Sequence, residues 1–403
     1  MDNKVVLLLF AVILLFIFLY SYRKDNRNVF SVCLSGIYFL ISVFCYLSTE
    51  QSNAASLDFL NCLFFALIFF IQIYPFIKMG KSVTKKINVS NIESYIPYAT
   101  IYLICSFFYI VFMIPKIIPI LQSGDYLYAY LETRGEDAVL YSGLFEQVII
   151  NFVSYSSILI LILSFVFLSN NVKYKFKVLL FILPFINSLI FSVMMASRAQ
   201  IAFEILLYAV VFLLFRKKVP PRFSKIIKVI MITVVVCSSI LIGAITLSRF
   251  GDSDNNWLYS YFAESFYNAN YIMTYGSGSS NGNTFFKGLL QFHNNYHCSI
   301  DFGTGFTTLI GVRFIDFGYV GTIIYAIICC AFLNKLLKKR TIDIGILALI
   351  VYYFRTILIG AFYDAASCLS WIYTIIIVII FNYTAGYFRN NKTWKRKMTY
   401  FNN

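Results

Sequence analysis

Long apolar runs alternate with short clusters of lysine and arginine along this chain, and the alternation limits its possible folds more than any other feature. Of the 33 cations, all but eight lie in six clusters that each adjoin an apolar run. The clusters cover residues 23–27, 78–86, 173–177, 216–228, 335–340 and 389–397. Cytoplasmic loops of multi-pass membrane proteins carry such cations. The pattern therefore predicts a polytopic membrane protein.

Eleven runs are long enough to cross a bilayer, which takes about 20 apolar residues in a helix. They lie at 4–22, 29–48, 57–79, 97–119, 146–168, 178–196, 199–215, 225–247, 315–334, 342–361 and 366–387. With the basic clusters inside, the N-terminus lies outside and the C-terminus inside, as an odd number of spans requires. We expect an all-α integral membrane protein, with residues 1–403 forming a single transmembrane domain.

Composition excludes several other classes of protein. Sixty per cent of the residues are apolar and 13% are charged, against about 25% charged in soluble domains. The net charge of +15 comes mainly from the loop clusters, which suit anionic lipid headgroups, so we expect no nucleic-acid partner. The nine cysteines lie mostly inside apolar runs, and no two of them form a C-x-x-C motif. Both observations argue against a disulfide framework.

Two of the predicted outer connections are long. Residues 122–146 contain the charged stretch ETRGED, and residues 250–314, between spans 8 and 9, contain both histidines of the chain. Within the larger one, 262–275 and 285–292 are amphipathic enough to form interfacial helices. The Gly/Ser-rich stretch 276–283 is typical of a hinge in a mobile lid. Long outer loops often carry function, so we expect catalytic elements here.

Several arginines lie away from the basic clusters, on the side where cations are scarce or at membrane depth. Arg134, Arg249 and Arg313 have acids within three residues, so local ion pairs could neutralise them. Arg198 and Arg355 have no acid within five residues on either side. An ionisable side chain at membrane depth costs roughly 2.5–3.5 kcal/mol on insertion scales and suggests a functional site.

Several arginines around an outward-facing membrane cavity suggest anion recognition. Guanidinium stays charged and bonds phosphate oxygens in pairs. A polyprenyl diphosphate is the natural anion carried by a membrane, so these arginines are candidate diphosphate ligands. We rank Arg198 first, because it lies in the tight turn between two spans. Glu204 is the nearest acid that could orient it. The chain has no P-loop, dinucleotide fingerprint, H-E-x-x-H or G-x-S-x-G motif, and no acidic cluster that predicts a metal or cofactor.

Four stretches resemble the Wzy-type O-antigen polymerases, which join oligosaccharide repeat units. They are SRAQ at 197–200, SRF at 248–250, HNNYHCSIDFG at 293–303 and RFIDFGYVGTIIYA at 313–326. The resemblance covers the order of spans in the whole chain, but its motifs cover some forty residues. D-F-G-x-x-G is moderately specific and S-R alone is weak.

The resemblance implies a glycosyltransferase on the periplasmic face of a bacterial inner membrane. The donor would be a glycan on undecaprenyl diphosphate, and the acceptor a repeat unit on a second undecaprenyl diphosphate. The acceptor hydroxyl would attack the anomeric carbon of the donor while arginines stabilise the leaving diphosphate. Related enzymes imply inversion without a metal. The implied partners are a chain-length-regulating co-polymerase and, functionally, the repeat-unit flippase.

The candidate general bases lie in or near the large outer loop. A positioned base typically contributes about 10²–10⁴-fold, and histidine titrates nearest neutral pH. His297 ranks first because the carboxylate of Asp301 follows four residues later, and His293 would share its face if the stretch were helical. Glu264 and Asp301 are the remaining candidates. Solvent-exposed loop histidines that only hold the loop are an equally simple interpretation.

Three other functions stay open. An O-antigen ligase joins finished glycan to lipid A–core, shares a long late outer loop and has a His-Asn element that His293–Asn294 resembles. A polysaccharide flippase or other transporter would have twelve or more evenly spaced spans with short loops. A membrane acyltransferase would pair a histidine with an acid at the membrane boundary.

Overall fold

The computed structural model is predominantly helical in the part of the chain that it describes. That part comprises residues 2–23, 28–48, 57–80, 86–87, 91–123, 143–170, 172–195, 197–250, 257–287, 289–298, 307–363 and 367–390, with backbone alone at 198, 246–250 and 257–262. Its helices are α1 Asn3–Tyr22, α2 Val29–Leu47, α3 Phe59–Met79, α4 Ile96–Ser123, α5 Leu144–Ser169, α6 Lys177–Met194, α7 Arg198–Phe215, α8 Pro221–Phe250, α9 Trp257–Tyr275, α10 Leu309–Leu337, α11 Ile344–Ile359 and α12 Cys368–Asn390. No β-strand occurs in these ranges.

Each predicted apolar run coincides with a helix. In the described residues nine helices are long and apolar enough to cross a membrane, namely α1 to α6, α8, α10 and α12. The apolar helices α7 and α11 are shorter. The protein is therefore a multi-pass, membrane-embedded helical protein. A span number of eleven and the orientation of the ends stay predictions.

The chain divides into two compact units, each with its own core. The first is Met1–Lys86, Asp252–Thr341 and Tyr352–Ile372, and the second is Ile87–Gly251, Ile342–Val351 and Tyr373–Asn403. In the first unit, Phe65 meets the rings of Phe10 and Phe266 edge-on, at centroid distances of 5.9 and 5.3 Å. Asn28 caps α2 and donates to the carbonyl of Gly80 at the end of α3, which fixes two helix ends at once.

The second unit contains α4 to α8 and most of α12. Phe165 of α5 stacks on Phe215 of α7 and meets Phe181 of α6 edge-on. Tyr98 and Ser156 share a buried hydrogen bond of 2.9 Å between α4 and α5. Polar residues inside a membrane bundle find partners on neighbouring helices in this way.

Candidate functional site

The D-F-G-x-x-G stretch lies at a break near the start of α10. Thr308 caps the helix by accepting from the amide of Gly311. Gly318 then interrupts it with φ 63° and ψ −170°, a conformation that is essentially confined to glycine. Beyond the break, the hydroxyl of Tyr319 donates to Asn61 Oδ1 over 2.7 Å. The motif therefore encodes a short helical turn, a sharp change of direction and a long helix.

Arg313 and Asp316 form a buried ion pair within that first short turn. Their side chains are 1% and 0% exposed, and Arg313 Nη1 donates to Asp316 Oδ2 over 2.9 Å. The guanidinium also lies over the rings of Phe285 and Tyr325, 4.7 and 5.2 Å from their centroids. Aromatic faces attract cations, more strongly when water is excluded. This arginine is thus neutralised inside the fold.

The carboxylate of Asp316 holds the preceding loop as well as the arginine. It accepts from the Ser280 hydroxyl and from the backbone amides of Thr284 and Phe285. Four donors thereby satisfy one buried carboxylate, which is what makes a buried charge tolerable. The pair serves as the anchor of the loop. The predicted role of Arg313 as a diphosphate ligand stays untested.

The described residues of the loop, 276–287 and 289–298, are joined by hydrogen bonds within the loop. Ser277 and His297 exchange two backbone hydrogen bonds of 2.9 and 2.8 Å, and Asn281 Nδ2 donates to the His293 carbonyl over 2.7 Å. Gly278 has φ 80°, and a Cβ there would collide with the backbone oxygen of Asn295. The Gly/Ser-rich stretch therefore forms a hydrogen-bonded turn where a flexible hinge was predicted. Its glycines permit close backbone packing.

Two helix predictions in this loop have different outcomes. The amphipathic stretch 262–275 is part of α9, so that prediction is confirmed. The described residues of 285–292 form turns, and the described residues around both histidines are irregular, so neither is helical. Asn283 is the physical reason for the first departure, because its side chain bonds the amide and carbonyl of Phe292 and closes a tight loop.

Both histidines are exposed, and the fold holds them through their backbones. His293 is fixed at its carbonyl and His297 through the bridge to Ser277. Burial raises the pKa of the neighbouring Tyr296 hydroxyl, which keeps it protonated and unsuited to act as a base. Glu264 lies exposed on α9. Asp301 lies outside the described residues, so its predicted pairing with His297 stays a prediction.

Arg198 and Arg249 lie at the same end of a three-helix group in the second unit, formed by α6, α7 and α8. Arg198 is the first residue of α7, and Arg249 lies in the last turn of α8. One turn inward, Val193, Ile201 and Ile245 of the three helices form a buried apolar cluster. Because Ile201 and Ile245 pack in one cluster, the helix ends that carry the two arginines meet. We call this region the arginine end.

Two predicted arginines remain. Arg355 lies in the part of α11 that belongs to the first unit, four residues from the end of the helix, and is half-buried. Arg134 lies outside the described residues. Glu204 is buried at 7% exposure, six positions after Arg198. The predicted orientation of Arg198 by Glu204 stays a prediction.

An ion pair that sequence reasoning missed joins Lys116 of α4 to Glu146 in the first turn of α5. Glu146 is 5% exposed, and a carboxylate in the first turn of a helix is favoured by the helix dipole. The two residues flank the connection 124–142 and fix the helices that enter and leave it. A lysine between two prolines in an apolar run was the available signal, but its partner lies 30 residues away.

A second missed feature is a polar cluster inside the second unit. Asn187 Nδ2 donates to Ser106 Oγ and to the hydroxyl of Tyr102, over 3.0 and 3.3 Å. The hydroxyl of Tyr109 donates to the Asn187 carbonyl over 3.0 Å. The cluster ties α4 to α6 at membrane depth, where small polar side chains hold helices together.

Metal-binding groups are absent from the described part: no three His, Cys, Asp or Glu side chains there could hold a metal ion together. Comparison with known proteins identifies no relative, since no family model, curated protein or solved structure matches the chain. The class established by the fold is a multi-pass helical membrane protein. Any finer assignment depends on the site itself.

Proposed function

We propose that this protein is a glycosyltransferase that polymerises undecaprenyl-diphosphate-linked repeat units into O-antigen or a related surface polysaccharide. The reaction would occur at the periplasmic face of a bacterial inner membrane. The observation that carries the proposal is the arginine end, where Arg198 and Arg249 terminate apolar helices of a membrane bundle. A cationic pair at that position suits an anionic lipid headgroup. The four motif stretches supply the resemblance to O-antigen polymerases.

The proposed reaction transfers a glycan between two lipid carriers. The acceptor hydroxyl attacks the anomeric carbon of the donor, the bond from that carbon to the diphosphate oxygen breaks, and a base takes the hydroxyl proton. Arg198 and Arg249, with Arg355 and Arg134 as the further candidates, stabilise the charge that develops on the leaving diphosphate. Arg313, predicted with them, is held by Asp316 in the anchor of the loop. His297 is the first candidate for the base, ahead of His293, Glu264 and Asp301. Expected partners are a chain-length-regulating co-polymerase and the flippase.

The ordered loop supports this assignment of the base. The Arg313–Asp316 anchor and the Ser277–His297 bridge fix the backbone of the loop that carries both histidines, and both histidines stay exposed. A preorganised group is worth more to catalysis than a mobile one, because its ordering entropy is already spent.

Ligase is the second candidate, favoured by the exposed His293–Asn294 pair. A lipopolysaccharide gel of a strain that lacks this protein tests polymerase against ligase. Loss of a polymerase leaves core that carries a single repeat unit, which is the result we expect. Core without any glycan would assign the protein as a ligase. An unchanged ladder would exclude both.

A further inference from the structure

An apolar groove runs along α6, α7 and α8, inside the second unit and directly beneath the apolar cluster of the arginine end. Its volume is about 250 Å³. The aromatic rings of Phe181, Phe185 and Tyr208 line it from α6 and α7, and we call them the aromatic wall. Val234, Cys237 and Ser238 are among the residues that line it from α8. Leu189 and Ile205 belong both to the cluster and to the groove, so the groove begins where the cluster ends.

The groove opens toward the outer face of α8. Cys237 lines it and is exposed, and Val234 lines it and is half-buried. Neighbouring positions of α8 present bare apolar side chains, with Val236 55% and Ile240 69% exposed. Such a surface on a membrane-length helix faces hydrocarbon. An occupant therefore enters the groove sideways from the bilayer.

The arginine positions line up with the groove on two helices independently. Along α7, Arg198 and Ile205 are seven residues apart, which is about 20° from eclipsed and about 10 Å along the axis. Along α8, Arg249 and Ser238 are eleven residues apart, again about 20° from eclipsed and about 16 Å along the axis. Ile205 and Ser238 both line the groove. On each helix the arginine position thus lies beyond the groove, on the same helix face as a groove-lining residue.

A cation above an apolar groove fits an amphiphile with an anionic head. One side chain in the lining also favours a particular tail. Ser238 is 2% exposed, and its Oγ has no hydrogen-bond partner in the structure. A saturated chain offers this hydroxyl nothing, whereas the double bonds of an isoprenoid chain offer weak π acceptors. The aromatic wall suits those double bonds equally.

We propose that this groove holds part of the isoprenoid tail of a polyprenyl diphosphate whose head lies at the arginine end. The identity of the lipid rests on the proposed function, whereas its position rests on the groove and on the alignment of Arg198 and Arg249. The tail runs from the head over the outer side of the apolar cluster, whose own residues are buried, and enters the groove beside Cys237. The second unit is then the lipid-binding part of the chain.

Photo-cross-linking locates the tail directly. The purified full-length protein, in nanodiscs of phosphatidylethanolamine, is mixed with undecaprenyl diphosphate that carries a diazirine on an isoprene unit and no glycan. We expect cross-links in residues 181–189 and 230–238. Cross-links confined to other helices would overturn the inference. So would equal protection by excess phosphatidylglycerol and by unlabelled undecaprenyl diphosphate, because an ordinary phospholipid would then be the occupant.

A matched pair of substitutions on one helix tests the groove itself. Val234→Phe fills it, whereas Val236→Phe adds the same ring two residues away on the lipid-facing side. We expect Val234→Phe to weaken binding of the probe at least about tenfold and Val236→Phe to leave it within about twofold. Equal affinity of the two variants would overturn the assignment. If Val234→Phe does not fold, the cross-link map of the unaltered protein still decides.

The test separates this inference from the proposed function because the probe carries no sugar. Cross-linking in the groove by a protein that forms no glycan ladder would support the groove and refute the polymerase. A ladder from a protein whose probe cross-links elsewhere would refute the groove and leave the polymerase standing.

Discussion

Arg313 of α10 and Arg198 of α7 show how one residue type can serve two purposes. Arg313 is 1% exposed, and its counter-ion, Asp316, lies three residues away on the same turn. Arg198 begins a helix, and the sequence offers no acid within five positions. A charge whose partner is encoded beside it is neutralised by the fold. Under the proposed function, Arg198, with no acid close to it in the sequence, would bind the diphosphate of the lipid carrier.

This difference predicts different consequences of mutation. Removing one member of a buried ion pair leaves the other buried without compensation, so the main effect falls on stability. Removing a cation at the end of a helix bundle leaves the core unchanged, so we expect the main effect on substrate binding and on the rate of reaction.

Arg313→Met should destabilise the fold by about 3–5 kcal/mol, because Asp316 then stays buried as an unpaired carboxylate. Adding Asp316→Asn removes that charge and should recover part of the loss, although the neutral side chain replaces one acceptor oxygen with a donor. Chemical denaturation of the purified variants in detergent measures both. An Arg313→Met protein as stable as its parent would show that the pair is not the anchor of the loop.

Arg198→Ala should stop chain extension while the protein inserts and denatures like its parent. The expected loss in rate is on the order of 10²–10³-fold, typical of one electrostatic donor at a developing charge. Arg198→Lys should restore little, since an ammonium lacks the paired donors of guanidinium. A normal glycan ladder from Arg198→Ala would remove this residue from the diphosphate site, and a large loss of stability would erase its contrast with Arg313.

His297→Gln should slow extension about 10²-fold, toward the low end for general bases, because the ring is exposed to water. The deficit should shrink at high pH, where hydroxide takes over the role of the base. His293→Gln, four residues away and equally exposed, is the matched control. Near-normal rates for both variants would move attention to Glu264.

Gly278→Ala should destabilise the protein by about 1–3 kcal/mol, since φ is positive there and the new Cβ collides with the Asn295 carbonyl. Gly386→Ala, inside α12, is the control, as a Cβ at that glycine meets no described atom within 4 Å. Thermal unfolding of both in detergent compares them. Equal midpoints would favour the hinge that the sequence suggested over the ordered turn.

Periodicity and length were enough to predict the helices, because a membrane helix depends mainly on its own apolar residues. The predicted apolar runs coincide with helices in the structure, and the predicted helix at 262–275 lies within α9. Local chemistry was a poorer guide in the loop. Nothing in the composition of residues 276–283 shows that a carboxylate more than thirty residues later will order them, since that contact depends on the chain returning to the same place.

The sequence also did not reveal interaction partners that lie far apart along the chain. The acid three residues from Arg313 was visible and is its partner. The acid that pairs with Lys116 lies 30 residues away and could not be chosen among alternatives. The convergence of Arg198 and Arg249 likewise depends on how α7 packs against α8, which no single segment encodes.

Reconstitution tests the central claim most directly. The purified protein is placed in liposomes with repeat units on undecaprenyl diphosphate, and products are followed by gel and by release of free undecaprenyl diphosphate. We predict a ladder of glycans, one lipid diphosphate released per bond formed, and neither from Arg198→Ala. Absence of extension by the folded parent protein, or transfer to added lipid A–core instead, would contradict the account.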